Sequence, residues 1–427
     1  MKKLLITIAL LIIVSLIAPK LVGGVVETEH QSAINKLNKN PAIIINSTTF
    51  TRDWFAGKAA TEMTILLQDS DIEDITITIE ENLSFGPVMF TDEGLQLALS
   101  HSQANINFMG LIIDEEIETF INDKIHLNGL LTFSKDIVAT VVIDEISKDI
   151  DGNKISSAKA QAHFTLENDN RVFGEFHWAG LTATTNNESF IIDDVKLSLD
   201  QTLIAGDYYQ GSAISTGDFD FSMAAVQSKD ALGKEVFTLD NLLISAISTV
   251  TNNLMKVEMS YSAEKLSSEG QRLEKANLDI ILHRLNVEVL QEANTVMTEL
   301  SANEQEMFSA QSMEKLSALT VKLLADDPIV EVKNLSVGTP EGKIESALQV
   351  SVDKKLFDAN NLMSIMAALK ADAQGSAPMP FFDKLGLTSM IDMYVQEGFI
   401  MKKDDELSVK VNFAQGQLNV NGNVIPL

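Results

Sequence analysis

Cysteine is absent from this 427-residue chain, and basic residues are few, at 32 against 60 acidic residues. The lack of cysteine excludes disulfides, thiolate metal sites, a cysteine nucleophile and a lipid-modified N-terminal cysteine. The net charge of −28 repels nucleic acid, which we exclude as a partner. What is present is ordinary for a folded protein: 45% hydrophobic and 22% charged residues, in a chain long enough for two or three domains.

One long apolar segment opens the chain. Lys2 and Lys3 precede an apolar run from Leu4 to Ala18, and Lys20 can extend its stem so that the span reaches residue 26. A cleaved signal peptide and an uncleaved anchor both fit this pattern, and both mean export. We favour the anchor, because the residues before Pro19 do not form a small-residue cleavage site. The positive end should be cytoplasmic, with the bulk of the chain in a bacterial periplasm and residues 4–26 in the inner membrane.

Alternation of apolar and polar residues dominates from about residue 42 to 283. Ile75, Ile77 and Ile79 alternate with polar residues, as do Phe219 and Phe221 with their neighbours. Period two predicts strands with one buried and one wet face, which is typical of antiparallel sheets joined by short turns. We therefore predict an α+β, mostly β fold. A transmembrane signal-anchor helix precedes large antiparallel meandering sheets with helical inserts.

The helical inserts are predicted from apolar residues at helical spacing. They comprise a helix just after the anchor (Val26 to Leu37), a helix pair (Leu290 to Leu300 and Leu316 to Leu323), a short insert (Leu362 to Leu369) and a helix from Leu387 to Val395 that stops at Gly398. Between them we predict strands from Ile329 to Val337 and from Ile344 to Val352, a loop from Gly375 to Pro380, and a final hairpin from Leu407 to Val424.

These elements divide the chain into three predicted regions. Residues 1–26 form the signal-anchor helix, residues 27–283 a β-rich periplasmic region, and residues 284–427 a helix pair with an α+β C-terminal region. We expect this last region to pack on the same sheet system as the second.

Several short motifs, in this order, resemble those of the YdgA-like family of bacterial proteins of unknown function 945. They are Arg52-Asp53-Trp54-Phe55, Phe85-Gly86-Pro87, Asp327-Pro328-Ile329 and the ending Leu418-Asn419-Val420-Asn421-Gly422. The resemblance covers nearly the whole chain. It implies an inner-membrane-anchored envelope protein without established enzymatic activity, with a homodimer as one option. Asp53 and Phe85 replace a Gly and a His of the family pattern, so a catalytic role for that His finds no support here.

No catalytic, cofactor-binding or metal-binding residues are assigned from the sequence. Asp149-Ile150-Asp151-Gly152-Asn153 is similar to the start of a calcium loop, but position twelve is Ala160, so a hairpin turn is favoured. The six histidines lack zinc-site spacing. His163 and His177 are expected on an exposed sheet face, opposite Phe176 and Trp178.

Three functions compete. The leading hypothesis is a non-enzymatic, membrane-tethered envelope protein that presents its sheet surface to protein partners. The second is a carrier for a lipid or other apolar ligand in a sheet groove. The third is a hydrolase that uses carboxylates. Methionines crowd into residues 363 to 401, where they form either core or the lining of a binding groove.

Overall fold

We describe the fold from a computed structural model of the chain. It describes residues 2–67, 74–91, 94–110, 122–150, 152–185, 188–268, 270–301, 309–358 and 361–425, with the side chains of the first helix described from Ile17 onward.

Six helices are found in the described residues. They are α1 (Lys2–Leu37), α2 (Val287–Ser301), α3 (Ala310–Leu324), α4 (Ile365–Ala368), α5 (Met379–Lys384) and α6 (Thr388–Gln396). The predicted helix after the anchor is thus the C-terminal half of α1. The predicted helix pair is α2 and α3, and the predicted helix before Gly398 is α6; these predictions are confirmed.

Strands account for most of the rest. In chain order they are β1 (Ile43–Arg52), β2 (Ala56–Ile65), β3 (Ile75–Phe85), β4 (Met89–Thr91), β5 (Gly94–Gln96), β6 (Ser100–Met109), β7 (Ile125–Leu131), β8 (Ile137–Ile143), β9 (Ile146–Ile150), β10 (Asn153–Ser157), β11 (Ala160–Glu167), β12 (Arg171–Thr185), β13 (Glu188–Ala205), β14 (Ile214–Lys229), β15 (Glu235–Thr251), β16 (Leu254–Ser268), β17 (Gln271–Asn286), β18 (Ile329–Thr339), β19 (Gly342–Val352), β20 (Leu369–Pro378), β21 (Met401–Lys403), β22 (Glu406–Ala414), β23 (Gln417–Val420) and β24 (Asn423–Ile425).

Apart from the small hairpin of β4 and β5, the described strands form one 22-stranded antiparallel sheet. Nineteen of these strands form one row, from β1 to β24, in which each strand pairs with the one before it in the row and no connection crosses over. The other three strands of the sheet, β9, β10 and β21, lie beside this row. The predicted large antiparallel meander is confirmed.

Two predicted boundaries are wrong. The loop from Gly375 to Pro380 is largely strand, because β20 continues to Pro378 and pairs with both β19 and β22. Small residues alternate there with polar ones, and Ala373 lies opposite both Leu348 and Val411. The insert predicted from Leu362 to Leu369 shrinks to a 3₁₀ turn (Leu362–Ser364) and the single turn of α4, because Leu369 already opens β20.

Smaller shifts affect three other turns. The turn between β18 and β19 is only residues 340–341, since Thr339 pairs with Gly342. The predicted final hairpin has three strands, with Val424 in the third. The hairpin turn at residues 149–153 follows β9, a strand that the sequence pattern did not reveal.

Side chains of residues 2–16, on which the predicted anchor rests, lie outside the described part of the chain. Among the described residues, no helix combines the length and apolar character that a membrane crossing requires.

Phe85 joins α1 to the sheet. It is 2% exposed and packs in a cluster with Val26, Ala59 and Leu83. Gly23 of α1 and Gly57 of β2 leave room for its ring, since a Cβ at either position would lie within 3.0 Å of it. The Gly23 position therefore allows close packing of α1 on the sheet.

We expect Phe85→Ala to cost about 3–5 kcal/mol of stability, because it leaves a cavity at this junction. Phe90→Ala, at a position that is 87% exposed, is the matched control and should cost less than about 0.5 kcal/mol. Urea unfolding of the full chain measures both. Equal losses would contradict the assigned role of Phe85.

Candidate functional site

The pairing registers place the apolar side chains of the central strands on one face of the sheet. Phe176, for example, lies opposite Leu197, which lies opposite Phe221, which lies opposite Ile244. We call the following residues the apolar strip: Val172, Gly174, Phe176, Trp178, Val195, Leu197, Leu199, Phe219, Phe221, Met223, Leu242, Ile244, Ala246, Val257, Met259, Tyr261, Leu278, Ile280, Leu282, Val330, Val332, Leu348 and Val350.

No member of the apolar strip carries a charge, and its polar groups are satisfied locally. The Trp178 indole Nε1 donates to Ser157 Oγ at 3.1 Å. The Tyr261 hydroxyl contacts the Met259 sulfur at 3.7 Å. The strip therefore offers apolar contact rather than hydrogen bonding to whatever covers it.

The opposite face is mostly polar, although Leu243 and Ile247 are exposed on it, and His163 and His177 lie on it as predicted. His177 Nε2 lies 2.8 Å from Asp194 Oδ1, and Lys196 Nζ donates to the other oxygen at 2.6 Å. These two contacts lower the pKa of the Asp194 carboxyl, with the Lys196 hydrogen bond the larger cause. Because all of these side chains are well exposed, the arrangement is a solvated ion-pair network.

Burial distinguishes the apolar strip from a protein core. Among the described strand residues between 188 and 339, Val195 and Met255 are the only hydrophobic ones that are buried. The strip's large side chains, such as Phe219 and Phe221, stay partly exposed, and Val330 is exposed. A second layer packed on this face would bury them almost completely. In the middle of the row α2 contacts β13, β14 and β17, and outside those contacts the apolar face is open.

Helices cover the face near its ends. α1 contacts β1, β2, β3 and β6. Its C-terminal half is fastened by ion pairs of Glu29 with Lys135 (2.7 Å) and of Lys36 with Asp169. α5 and α6 pack over the C-terminal strands, where Met379, Ile391 and Leu407 form a small core.

The methionine-rich segment is mostly neither core nor groove lining. Of its members, Met379 is buried, whereas the others are exposed. The exposed ones are Met363, Met366, Met390, Met393 and Met401. Neither alternative drawn from the sequence describes the segment as a whole.

A cavity of about 210 Å³ lies between α1 and the sheet. Glu81 faces into it from the apolar side of β3, with His30 above it on α1. Burial raises the pKa of the Glu81 carboxyl, and the Ser102 hydroxyl that donates to it at 3.3 Å only partly offsets this. Burial also lowers the pKa of His30. Sequence reasoning missed Glu81, although it continues the odd-numbered apolar series of Ile77 and Ile79.

The segment that is similar to the start of a calcium loop forms the favoured hairpin turn, between β9 and β10, in which Asp149 Oδ1 accepts a hydrogen bond from the Gly152 amide at 3.1 Å. Asp151 lies outside the described residues. In the part of the chain that the structure describes, no three His, Asp or Glu side chains gather in a geometry suited to a metal ion.

Two motifs that suggested a family meet at the α1 junction. Arg52 lies against α1, where its Nε is 3.4 Å from Glu27 Oε2, and the Phe85 amide donates to the Phe55 carbonyl at 2.8 Å. The sequence model of a family described as bacterial protein of unknown function (DUF945) matches residues 1–427. The chain belongs to the DUF945 family. No curated protein and no solved structure matches it.

Because burial raises the pKa of Glu81 above its unfolded value, its charge opposes folding at neutral pH. We expect Glu81→Gln to stabilise the chain at pH 8. The gain should shrink as the pH falls toward the unfolded pKa of a glutamate, because the native carboxyl then becomes neutral as well. Urea unfolding across this pH range measures the effect. Glu80→Gln, at an exposed neighbour on the polar face, is the control, and an equal gain there would argue against a burial effect.

Proposed function

We propose that this protein binds lipid acyl chains along the apolar strip, as a membrane-anchored carrier. The open middle of the apolar face is the observation that carries the proposal. Soluble monomers rarely leave a large contiguous apolar patch uncovered, and such a patch marks a binding surface. The eight strands that carry the strip, β12 to β19, extend about 34 Å at about 4.8 Å per strand, which gives room for several chains side by side.

The chemistry of the strip favours acyl chains over a protein partner. Acyl chains contain no hydrogen-bonding groups. They therefore lose no hydrogen bonds when they leave water for a surface that has no donors or acceptors to offer. A protein surface of the same extent carries many polar groups, which the strip would leave unpaired. The aromatic rings of Phe176, Phe219 and Phe221 supply a large apolar contact area.

Membrane attachment through residues 4–26 is part of the proposal. It is supported by the apolar run after Lys2 and Lys3, and by the continuity of α1, which runs as one helix from Lys2 to Leu37 and packs directly on the sheet. We propose that the N-terminus is cytoplasmic and that the sheet lies in the periplasm, so that the N-terminal end of the sheet lies beside a source of lipid.

We propose a binding role without catalysis, because the strip supplies apolar contact and no acid, base or nucleophile is placed along it. A scaffold for envelope protein partners, or for a second copy of the chain, stays a second proposal. It is favoured by a hollow of about 640 Å³ on the polar face near β19 to β23. Gln349, Asp372, Lys410 and Asn412 line that hollow and suit hydrogen bonding to a peptide.

Adjacent residues on opposite faces provide the decisive test. We expect a photoreactive benzoylphenylalanine at Phe221 to form phospholipid adducts in living cells, because Phe221 belongs to the apolar strip. The same residue at Asp220 points to the polar face and should form none. Mass spectrometry of the purified full chain detects the adducts. Protein adducts alone at position 221 would favour the scaffold, and equal lipid labelling at both positions would refute the strip as the binding surface.

The anchor has its own test. A reporter enzyme that is active only outside the cytoplasm, fused after Leu427, should be active, and a cytoplasmic reporter at the same place should be silent. The protein should also stay with the membrane after an osmotic wash. A mature chain that starts near residue 19 and is released by the wash would mean that the segment is a cleaved signal.

A further inference from the structure

Three turns near the N-terminal end of the sheet lie on the same edge. In an antiparallel meander, alternate turns fall on one edge of the sheet. The turns after β1, β3 and β7, within residues 53–55, 86–99 and 132–136, therefore share an edge. A direct contact joins the first two, since the Phe85 amide donates to the Phe55 carbonyl.

These three turns carry large apolar side chains that are exposed to solvent. They are Trp54, Phe55, Val88, Phe90, Leu95, Leu97 and Phe133. Turns are ordinarily built from Gly, Pro, Asn, Asp and Ser, and the short turns Asn168-Asp169-Asn170 and Asn252-Asn253 later on the same edge follow that rule. The long connection after β19 on this edge also exposes Leu356, Met363 and Met366. The seven apolar side chains at the N-terminal end form a group of their own, separated from these by the short polar turns.

α1 meets the sheet at that same end. The Lys20 ammonium lies 4.5 Å from the centre of the Trp54 ring, and Arg52 Nη1 donates to the Lys20 carbonyl at 3.4 Å. Leu21 and Val25 of α1 are also exposed there. The apolar turns therefore adjoin the point where the chain leads back to the apolar run of residues 4–18.

We propose that these turns form a membrane-contact surface that sits in the interfacial layer of the bilayer. The occupant is argued from continuity, because the exposed apolar side chains extend the apolar surface of the N-terminal helix. Their composition also fits, since Trp and Lys are enriched where protein meets lipid head groups. The contact holds the N-terminal end of the sheet against the membrane. The inference rests on the proposed anchor and goes beyond it, because a tether alone leaves the sheet free to stand away from the bilayer.

The absence of cysteine makes the test direct, because any introduced cysteine is the sole labelling site. Nitroxide labels at Phe90→Cys and Leu97→Cys are compared in the full chain, reconstituted in phosphatidylcholine nanodiscs. Leu232→Cys is the matched control, since Leu232 is 93% exposed in the turn after β14, on the opposite edge. We expect oxygen, which concentrates in the bilayer, to relax the labels at 90 and 97 more than a water-soluble nickel chelate does. The order should reverse at 232.

Two outcomes overturn the proposal: nickel accessibility at 90 and 97 equal to that at 232, or labels shielded from both reagents, which indicates burial against protein. A label-free measurement guards against misfolding of a variant. With Trp178→Phe, Trp54 is the sole tryptophan, and acyl-brominated phosphatidylcholine should quench it. Unquenched Trp54 counts against the membrane contact. The adduct test at Phe221 examines the apolar strip independently. If the labels at 90 and 97 show no membrane contact but Phe221 still forms lipid adducts, only the membrane-contact proposal is refuted.

Discussion

One-sided burial is the constraint on which this structure depends. The long row presents apolar residues to one face. Helices pack on the two ends of that face, and α2 contacts β13, β14 and β17 in the middle of the row. Two small cores follow, one around Phe85 under α1 and one around Ile391 under α5 and α6. Between them the sheet relies on its ladder of hydrogen bonds and on contacts between neighbouring side chains of the same face. The open middle is therefore built into the architecture, and a ligand that covers it would add the apolar burial that the fold lacks.

The junction at Phe85 sets the geometry of the N-terminal end. Its ring fills a space that exists because Gly23 and Gly57 have no side chains, and Arg52 fastens the neighbouring turn to α1. The same contacts fix the direction of α1 relative to the strip and place the exposed turns around its base. Two of the motifs that suggested the family, at residues 52–55 and 85–87, thus lie together at this junction.

Much of this architecture follows from local patterns in the sequence. Alternation predicted the antiparallel meander, and helical spacing predicted α2, α3 and α6, because each pattern reports which side of an element avoids water. β20 was missed since Ala371, Ala373 and Gly375 are too small to show a clear apolar period, although their partners in β19 and β22 accommodate them.

The candidate site was harder to predict than the fold. Alternation looks the same whether a second layer covers the apolar face or leaves it open, so the sequence could not choose between a closed core and an open strip. Nor could it show that turns separated by some 40 residues lie together, because that depends on the pairing of whole strands. Glu81 is different, because its position in an apolar series was visible in the sequence. Only the structure shows that this carboxyl faces a cavity beneath α1.

The absence of crossovers in the sheet has a consequence for how the chain is made. Because each strand of the row needs only the strand before it, order can spread from β1 to β24 in the direction of synthesis. Many of the new hairpins close through short loops, which form quickly and at small entropic cost, whereas the connection from β17 to β18 carries α2 and α3. The growing end always exposes an unpaired strand edge, where misassembly with another chain is easiest. When an emerging chain folds strand by strand, each exposed strand edge is paired as soon as the next strand appears. At the end of the row, β24 is short, which limits the length of the unpaired edge.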